Sequence, residues 1–498
     1  MKYLKYITLG LLSTILFLTP SCSDDFLETT STESAPSAVI SGSVGGLYSA
    51  LNGIHRKMVS QDLGIQGMGG EPGFMFSRDA HGDDMTWATN TWLQSHLNWS
   101  INKNNTSSYN VGIWRTYYQF ILNANMILEA LETVSKTTSA EIIKADNIKG
   151  ECLAIRAWSH FMLVQYYAKA YVAGSGNTQL GVPYRLNSGI GSMARNTVED
   201  VYAKINADLD MAQPLLVGST GVTHYTEKVV WGLKARVALT QQDYPKAADC
   251  ASKAITLALA GGNKIMQTTE LTNGFANITT TTKDALYAAK TLDDQTVYFY
   301  SFYAYMSWNF NASAIRQGPK CINQATYDKM STSDLRRAWW DPTGTATVPA
   351  TTYGKAKYQN RKFTARSTAD PVGDVAYMRL SEMYLIASEA YARADKNTEA
   401  RTYFTTFIAQ RDPSYVNSGK TGTAFADEIM THRRIELWGE GFRWFDLKRL
   451  NLACKRDGSN FSSTFAGFLT KEQSQDDGWY YEIPKVETDN NTLMVKNY

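Results

Sequence analysis

Tryptophan and asparagine are concentrated in one loop-like stretch, residues 87–105. It contains Trp87, Trp92 and Trp99, and Asn102 follows three positions after the last of them. Sugar rings present flat C–H faces that stack on indole rings, and side-chain amides can bridge sugar hydroxyls. These residue types therefore favour a carbohydrate-binding site in which no bond is made or broken. The competing interpretation is that some of these rings belong to the core.

A second aromatic segment reads YFYSFYAYMSWNFNASAIRQ. Tyr303, Tyr305 and Trp308 offer further stacking surfaces, and Arg316 could bind an acidic group. We expect a short strand around Val297 to Ala304, which would place alternate aromatic residues on opposite faces. At least half of these rings are expected in the core, and the loop tryptophans are the first candidates for ligand contact.

A dense group of acids occurs in RDAHGDDMTW. Asp79, Asp83 and Asp84, with His81 nearby, could bind a structural calcium ion through oxygen atoms. The group lacks the alternate acid spacing and the closing glutamate of an EF-hand. Turn formation and helix capping are the simpler explanation, and no cofactor is predicted.

Two glutamates, Glu436 and Glu440, lie one helical turn apart in HRRIELWGEGFRWFDLKRL. A glycosidase needs two carboxylates, one with a raised pKa, and the surrounding arginines would instead keep both ionised. Arg443, Asp446 and Arg449 share a helix face, which predicts a network of paired charges. The chain also lacks the Gly-x-Ser-x-Gly, His-Glu-x-x-His and phosphate-loop motifs. The sequence therefore does not indicate an enzyme.

The elements that must position these residues are predicted to be mostly helices. Apolar residues recur at three-to-four spacing in Ile113–Val134, Glu141–Tyr171, Val198–Leu215, Glu227–Gln241, Tyr244–Ala260, Val375–Ala394, Thr398–Ala409 and Phe425–Gly439. Two helix pairs carry small residues where tetratricopeptide-like hairpins pack closely. The fold class is thus mostly α, with tetratricopeptide-like hairpins in an α-superhelical scaffold, long loop-rich insertions and a few short strands.

Charge and cysteine content exclude several classes of protein. The formal net charge of the 498 residues is +2, without a basic block, so nucleic acid is not a predicted partner. Four of the five cysteines are scattered singly and are expected to be buried free thiols: Cys152, Cys250, Cys321 and Cys454. His160, on an apolar helix, is expected to be a hydrogen-bonded core residue.

The N-terminal segment resembles a bacterial lipoprotein signal. A lysine-containing start precedes the apolar run Ile7–Leu18, which is shorter than the about 20 residues needed to span a bilayer, and Ser21-Cys22 follows. This predicts cleavage before Cys22 and acylation of its thiol. The alternative is an ordinary secreted protein with a chance cysteine. Residues 1–21 would then be the signal and residues 22–39 a lipidated flexible tether.

Several segments in order resemble the SusD/RagB outer-membrane lipoproteins of Bacteroidetes. The resemblance rests on GECLAIRAWSHFMLVQYYAKAY, GVPYR at Gly181–Arg185, HRRIELWGEGFRWFDLKRL at His432–Leu450, and the terminal YEIPKVETDNNTLMVKNY. It implies one globule over residues 40–498, with an N-terminal part at about 40–270 and a C-terminal part at about 271–498. The pair Trp99 and Asn102 is similar to the tryptophan-plus-asparagine element in the aromatic arc of the starch-binding member.

The resemblance also implies a function and a partner. It predicts a lipid-anchored protein on the outer face of the outer membrane, which captures oligosaccharides and delivers them to a SusC-like TonB-dependent barrel transporter. A peptide-capturing member of the same family would share the scaffold and remains an alternative. A secreted glycoside hydrolase is the third interpretation, for which the required carboxylate geometry is missing from the sequence.

Overall fold

A computed structural model describes residues 42–60, 68–87, 93–292, 301–345, 355–473 and 478–498. The predicted signal, the tether, Cys22 and Trp92 lie outside the described residues, as do positions 297–300 of the strand expected around Val297 to Ala304.

Helices dominate the described part of the chain. In chain order they are α1 (Val44–Lys57), α2 (Glu71–His81), α3 (Gln94–Leu97), α4 (Ser108–Thr133), α5 (Ser139–Tyr167), α6 (Val198–Leu215), α7 (Glu227–Thr240), α8 (Tyr244–Ala260), α9 (Phe302–Met306), α10 (Ser313–Gln317), α11 (Gln324–Tyr327), α12 (Leu380–Arg393), α13 (Asn397–Ile408), α14 (Gly422–Glu436), α15 (Arg443–Arg449), α16 (Ser463–Ala466) and α17 (Lys485–Asn490).

Among the described residues, strands are short and form three small antiparallel sheets. They are β1 (Met85–Trp87), β2 (Ala285–Ala289), β3 (Lys320–Ile322), β4 (Trp340–Asp341), β5 (Gln359–Asn360), β6 (Val375–Arg379), β7 (Cys454–Lys455) and β8 (Thr470–Lys471). The largest sheet has the order β1-β3-β5-β4, with Trp87 opposite Lys320; β2 pairs with β6, and β7 with β8.

The long helices pack as successive neighbours, α4 to α8 in order, and α12 then packs on α8, α13 and α14. Small residues make the closest approaches possible, because they let helix axes come together. Ala235 of α7 and Ala247 of α8 are fully buried, as are Ala387 of α12 and Ala400 of α13. The predicted mostly α fold with tetratricopeptide-like hairpins is confirmed.

Boundaries of the long helices follow their capping residues. At the start of α5, Thr138 accepts a hydrogen bond from the Glu141 N–H while the Glu141 side chain accepts one from the Thr138 N–H, a capping box. Helices α6 and α8 have the predicted bounds, and Thr197 and Asp243 cap their first turns.

The predicted helix Val375–Ala394 was wrong in its first turn. Val375–Arg379 forms strand β6, because this segment, which includes Val375 and Tyr377, pairs with β2. The chain changes to helix at Leu380, where the Asp284 side chain accepts a hydrogen bond from the Ser381 N–H at 2.9 Å. The strand expected up to Ala304 was also wrong in its described part, since Phe302–Met306 is helical.

Two hydrophobic clusters fill the interior. One lies among the long helices; the other, which includes Phe76, Trp87, Trp339 and Phe363, lies against the four-stranded sheet. The four predicted free cysteines are buried thiols, as expected. None of the described helices combines the length and the apolar character required to cross a bilayer.

Candidate functional site

The first tryptophan of the predicted binding loop lies inside the protein. Trp87 is fully buried on β1 and stacks on Phe76, which also stacks on Tyr305. The Lys320 ammonium lies 4.8 Å from the Trp87 ring centroid, and burial lowers the pKa of Lys320 to about 7. Phe76 and Trp87 thus both contact a buried lysine, and Tyr305 is buried beside Phe76, so neither Trp87 nor Tyr305 is presented to a ligand from solvent.

Trp99 and Asn102 are brought together, but in the core. The indole N–H of Trp99 donates to the backbone oxygen of His81 at 3.0 Å, and its ring packs edge-on against Trp479. The Asn102 amide lies 2.7 Å from His81 Nε2 and donates to the Gly478 backbone oxygen at 2.6 Å. The expectation of an exposed tryptophan-plus-asparagine element is therefore corrected, because hydrogen bonds within the protein already use both polar groups.

Tyr303 also belongs to the interior. Its ring is 1% exposed, and its hydroxyl donates to the backbone oxygen of Asp374 at 3.2 Å. Gly373 lies so close to this ring that a Cβ there would overlap it. Tyr303 therefore holds the loop before β6 in place, and the expectation that it contacts ligand is corrected.

Among the aromatic residues that were predicted to bind ligand and that the structure describes, Trp308 is the one that is half-exposed. The guanidinium carbon of Arg361 lies 4.1 Å from the centroid of its ring, and its indole N–H donates to Thr364 Oγ1 at 2.9 Å. Arg316, on α10, is also half-exposed. Trp308, Arg361 and Thr364 form what we call the Trp308 site.

Backbone pairing between two segments fixes the Trp308 site. The Trp308 N–H donates to the Phe363 backbone oxygen at 3.2 Å. The next residue, Asn309, exchanges two hydrogen bonds with the backbone of Ala365, at 2.8 and 2.9 Å. The Arg361 N–H donates to the backbone oxygen of Trp339 at 2.6 Å. The indole is thus held at a set angle, which favours stacking on a rigid apolar face.

Sequence reasoning missed Arg361 and Thr364. Both lie more than fifty positions after Trp308, in a segment where residue type alone gives no sign of ligand contact. No periodic signal marks them, because the burial of residues 361–364 does not follow the alternation of an extended strand. Lys362 and Phe363 are buried, whereas the other two are half-exposed.

The acid cluster is engaged by cations and amides of the C-terminal segment. Asp83 receives the Arg443 Nε–H at 2.6 Å, and Asp84 receives the Arg434 guanidinium at 2.6 Å. Asp79 accepts the Gly441 N–H at 2.9 Å, and burial raises its pKa to about 7. Asp83 and Asp84 are therefore engaged in ion pairs and Asp79 in hydrogen bonds to backbone N–H groups, and the calcium interpretation of these three residues is corrected.

Glu436 and Glu440 are buried and paired, as the arginine-rich sequence predicted. Arg411 and Arg379 both donate to Glu436 at 2.9–3.0 Å, and Arg379 with Lys362 does the same for Glu440 at 2.6–2.8 Å. Burial alone would raise both pKa values, but the adjacent cations lower them below the ordinary value. Neither carboxyl group can therefore serve as a protonated general acid near neutral pH.

Two surface clefts have polar groups that already bind each other. A cleft of about 500 Å³ contains Arg434 and Arg443, which pair with the acid cluster described above. A cleft of about 250 Å³ is lined by Tyr118 and Arg185, whose donors bond the backbone oxygens of Pro183 and Gly189. The Trp308 site is therefore the stronger candidate for ligand stacking.

The predicted roles of two other residues are confirmed. His160 is buried, with Nδ1 at 2.8 Å from the Arg156 backbone oxygen and Nε2 at 3.1 Å from the Arg185 N–H. Asp446 accepts from Arg433 and Arg449 at 2.9 and 2.8 Å, and Arg449 also pairs with Glu389. The charge network locks α15 against α12 and α14.

Known structures with the same fold include two proteins of Bacteroides and a laminarin-binding SusD-like protein. A SusD superfamily protein of Bacteroides thetaiotaomicron VPI-5482 has a TM-score of 0.78 at 23% identity, covering 92% of this chain and 100% of that one. A SusD-like carbohydrate-binding protein of Bacteroides vulgatus ATCC 8482 has a TM-score of 0.76 at 20% identity, covering 92% and 98%. A laminarin-binding SusD-like protein has a TM-score of 0.67 at 18% identity, covering 91% and 98%. At these identities the likeness establishes the fold.

Family models match almost the whole of the described chain. A SusD-like model, described as starch-binding and associating with the outer membrane, matches residues 65–239, and the SusD family model matches residues 229–498. No curated protein sequence matches the chain significantly. Since the second match alone covers more than half of the chain, the protein belongs to the SusD family, whose members are binding proteins without catalytic activity.

Proposed function

We propose that this protein captures oligosaccharides and that the Trp308 site takes part in stacking on a sugar ring. The observation that carries the proposal is a half-exposed indole fixed by its N–H bond to Thr364 and overlaid by the Arg361 guanidinium. A fixed aromatic ring loses little conformational entropy when a ligand stacks on it. The guanidinium and the threonine hydroxyl lie beside the ring, where they can bond sugar hydroxyls.

Family membership supports this substrate class. One matching model is described as starch-binding, and proteins of the same fold are described as carbohydrate-binding and laminarin-binding. Arg316 extends the proposal to glycans with an acidic group, because this residue is half-exposed and a guanidinium can bind a carboxylate. Trp92 remains a candidate contact that lies outside the described residues.

The proposed place of action is the outer face of an outer membrane. The family description names association with the outer membrane, and Cys22 follows a lipoprotein-like signal in the sequence. Two or more acyl chains would hold the protein there, since one chain gives only marginal binding. The proposed partner is a SusC-like TonB-dependent barrel transporter, to which the bound oligosaccharide is delivered.

Peptide capture is the second candidate function. It would use the same scaffold and bind extended backbone through polar contacts. The half-exposed Trp308 ring favours sugar over peptide, because the flat C–H face of a sugar can stack on it.

Calorimetric titration with panels of oligosaccharides and oligopeptides tests the proposal. Trp308→Ala should weaken binding of the responding oligosaccharide about tenfold, because loss of a stacking ring costs about 1–1.5 kcal/mol. Trp231→Ala is a matched control: Trp231 is also half-buried, and Lys234 and Lys253 each lie 4.4 Å from its ring, but it belongs to helix α7. This control should leave affinity unchanged.

Two results would contradict the proposal. If Trp308→Ala and the unchanged protein bound the oligosaccharide with equal affinity, the Trp308 site would not take part in binding. Saturable heat with peptides and none with oligosaccharides would favour the peptide alternative. Trp308→Ala also removes the hydrogen bond to Thr364, which could disturb the local fold. Circular dichroism and thermal melting of each variant therefore check that a loss of affinity comes from the site and not from unfolding.

A further inference from the structure

Three residues far from the Trp308 site bring metal-ligating atoms together. His55 Nε2 lies 3.0 Å from Glu151 Oε2, and His224 Nδ1 lies 3.1 Å from the same oxygen. One ligand atom from each of the three residues falls within a span of 4.8 Å. The two imidazole rings face each other edge-on, with centroids 4.5 Å apart.

Each of these residues comes from a different part of the scaffold. His55 is in the last turn of α1, Glu151 is in the middle of α5, and His224 precedes α7. The Tyr225 N–H donates to Glu151 Oε2 at 3.1 Å and so fixes the carboxylate from the side of that loop. A metal held here would join three elements that are distant in sequence.

The surroundings resemble the outer shell of a metal site. The second nitrogen of His55, Nδ1, lies 3.0 Å from the Tyr287 hydroxyl. Ligating histidines in proteins usually donate their other ring N–H to an oxygen, which sets the tautomer and ring angle. His55 can therefore ligate through Nε2 while Nδ1–H donates to Tyr287. Tyr48 stacks on His224 with an interplanar angle of 13° and limits its rotation.

The ligand set and its spacing fit zinc. Zinc binds histidine nitrogen and carboxylate oxygen at about 2.0–2.2 Å, so neighbouring ligand atoms in a tetrahedron lie about 3.3 Å apart. Glu151 Oε2 lies 3.0 and 3.1 Å from the two histidine nitrogens, and no two of the three ligand atoms are more than 4.8 Å apart, so small side-chain rotations bring them to this spacing. Two histidines and one glutamate leave a fourth position for water. The side chains of His55 and His224 are 12% and 22% exposed, so the ion has access from solvent.

We propose that His55, Glu151 and His224 bind one divalent transition-metal ion, with zinc as the first candidate. The ion would tie α1 and the segment before α7 to α5. Calcium and magnesium are disfavoured, because they prefer oxygen ligands and two of the three donors are nitrogen.

The test uses the full chain without a histidine tag, stripped with chelator. Zinc binding is measured by competition with a chromophoric chelator, and cobalt(II) is added to separate samples as a spectroscopic probe. We expect one zinc per chain and the visible absorption of tetrahedral cobalt. His224→Gln should weaken zinc binding at least about tenfold, as disruption of a metal's surroundings commonly does, and should abolish the cobalt spectrum. His55→Gln should behave in the same way.

Tyr48→Phe is the matched control, because it keeps the ring beside His224 and all three ligands. It should bind zinc as the unchanged protein does. Because His224 is the most exposed of the three residues, its substitution should leave the fold intact, which circular dichroism checks. Failure to bind a stoichiometric ion, or binding unchanged in both histidine variants, would overturn the proposal. The oligosaccharide titration does not depend on either result.

Discussion

The substitution Glu436→Gln should destabilise the protein strongly, because this carboxylate is the centre of a buried charge network. Arg411 donates to both of its oxygens at 2.9 and 3.0 Å, and Arg379 donates at 3.0 Å. Arg336 lies 3.5 Å away. The charged side chains of all four residues are fully buried. The substitution keeps the shape but removes the charge and turns one acceptor into a donor that faces guanidinium groups.

The magnitude follows from which arginine loses its partner. Arg379 keeps Asp284 at 2.7 Å, and Arg336 keeps Asp334 at 2.7 Å. Among the described residues, Arg411 has no second carboxylate partner. Glu436→Gln therefore leaves the buried Arg411 cation without a compensating charge. Breaking a buried ion pair in this way costs about 3–5 kcal/mol of unfolding free energy. Removing both charges together, in Glu436→Gln with Arg411→Met, should recover part of that loss.

Urea denaturation at neutral pH, followed by tryptophan fluorescence and circular dichroism, measures the change in free energy of unfolding. The surface pair Lys485–Asp489 is the matched control, because its oxygen and nitrogen are 2.6 Å apart but both side chains are more than half exposed. Asp489→Asn should change the free energy of unfolding by less than about 1 kcal/mol. If Glu436→Gln had an effect as small as Asp489→Asn, the reasoning from buried charge would be refuted.

Two further predictions concern pH and the membrane. Burial lowers the pKa of His160 to about 3, and its Nε2 already accepts the Arg185 N–H. His160 therefore becomes protonated at a lower pH in the folded protein than in the unfolded chain. The contribution of neutral His160 to stability is complete above about pH 6.5 and is lost as the pH falls towards 3. Over that range, the urea midpoint of His160→Gln should fall less steeply than the midpoint of the unchanged protein. Parallel curves for the two proteins would contradict this prediction. Cys22→Ala should move the protein from the membrane to the soluble fraction of cells, and persistent attachment would contradict lipidation.

The scaffold could be predicted from sequence because its signals are local. Apolar periodicity and capping residues gave α6 and α8 with correct bounds, and the small residues of α7 and α8 indicated their close packing. The error at Val375–Arg379 has a non-local cause, since the segment becomes a strand only when β2 lies beside it. Its apolar pattern continues without a break into α12.

The exposure of individual aromatic residues could not be predicted, because it depends on distant parts of the chain. Trp99 has a left-handed backbone conformation, with φ of 62°, and its indole is enclosed by His81, Trp444 and Trp479. A loop rich in asparagine gives no sign that segments more than three hundred residues away will cover its tryptophan. Trp308 stays half-exposed although its neighbour Met306 is fully buried.

The buried charge network also positions the Trp308 site. Lys362 is fully buried, and its ammonium donates to the backbone oxygens of Glu436 and Trp438 at 2.7 and 2.8 Å and to Glu440 at 2.6 Å. The preceding residue, Arg361, overlays Trp308 on the opposite side of the same extended segment. Burying an ammonium is costly unless it is fully bonded, so Lys362 has few alternative positions. The network of paired charges that the sequence predicts around Glu436 and Glu440 therefore also holds the segment against which the half-exposed indole is aligned.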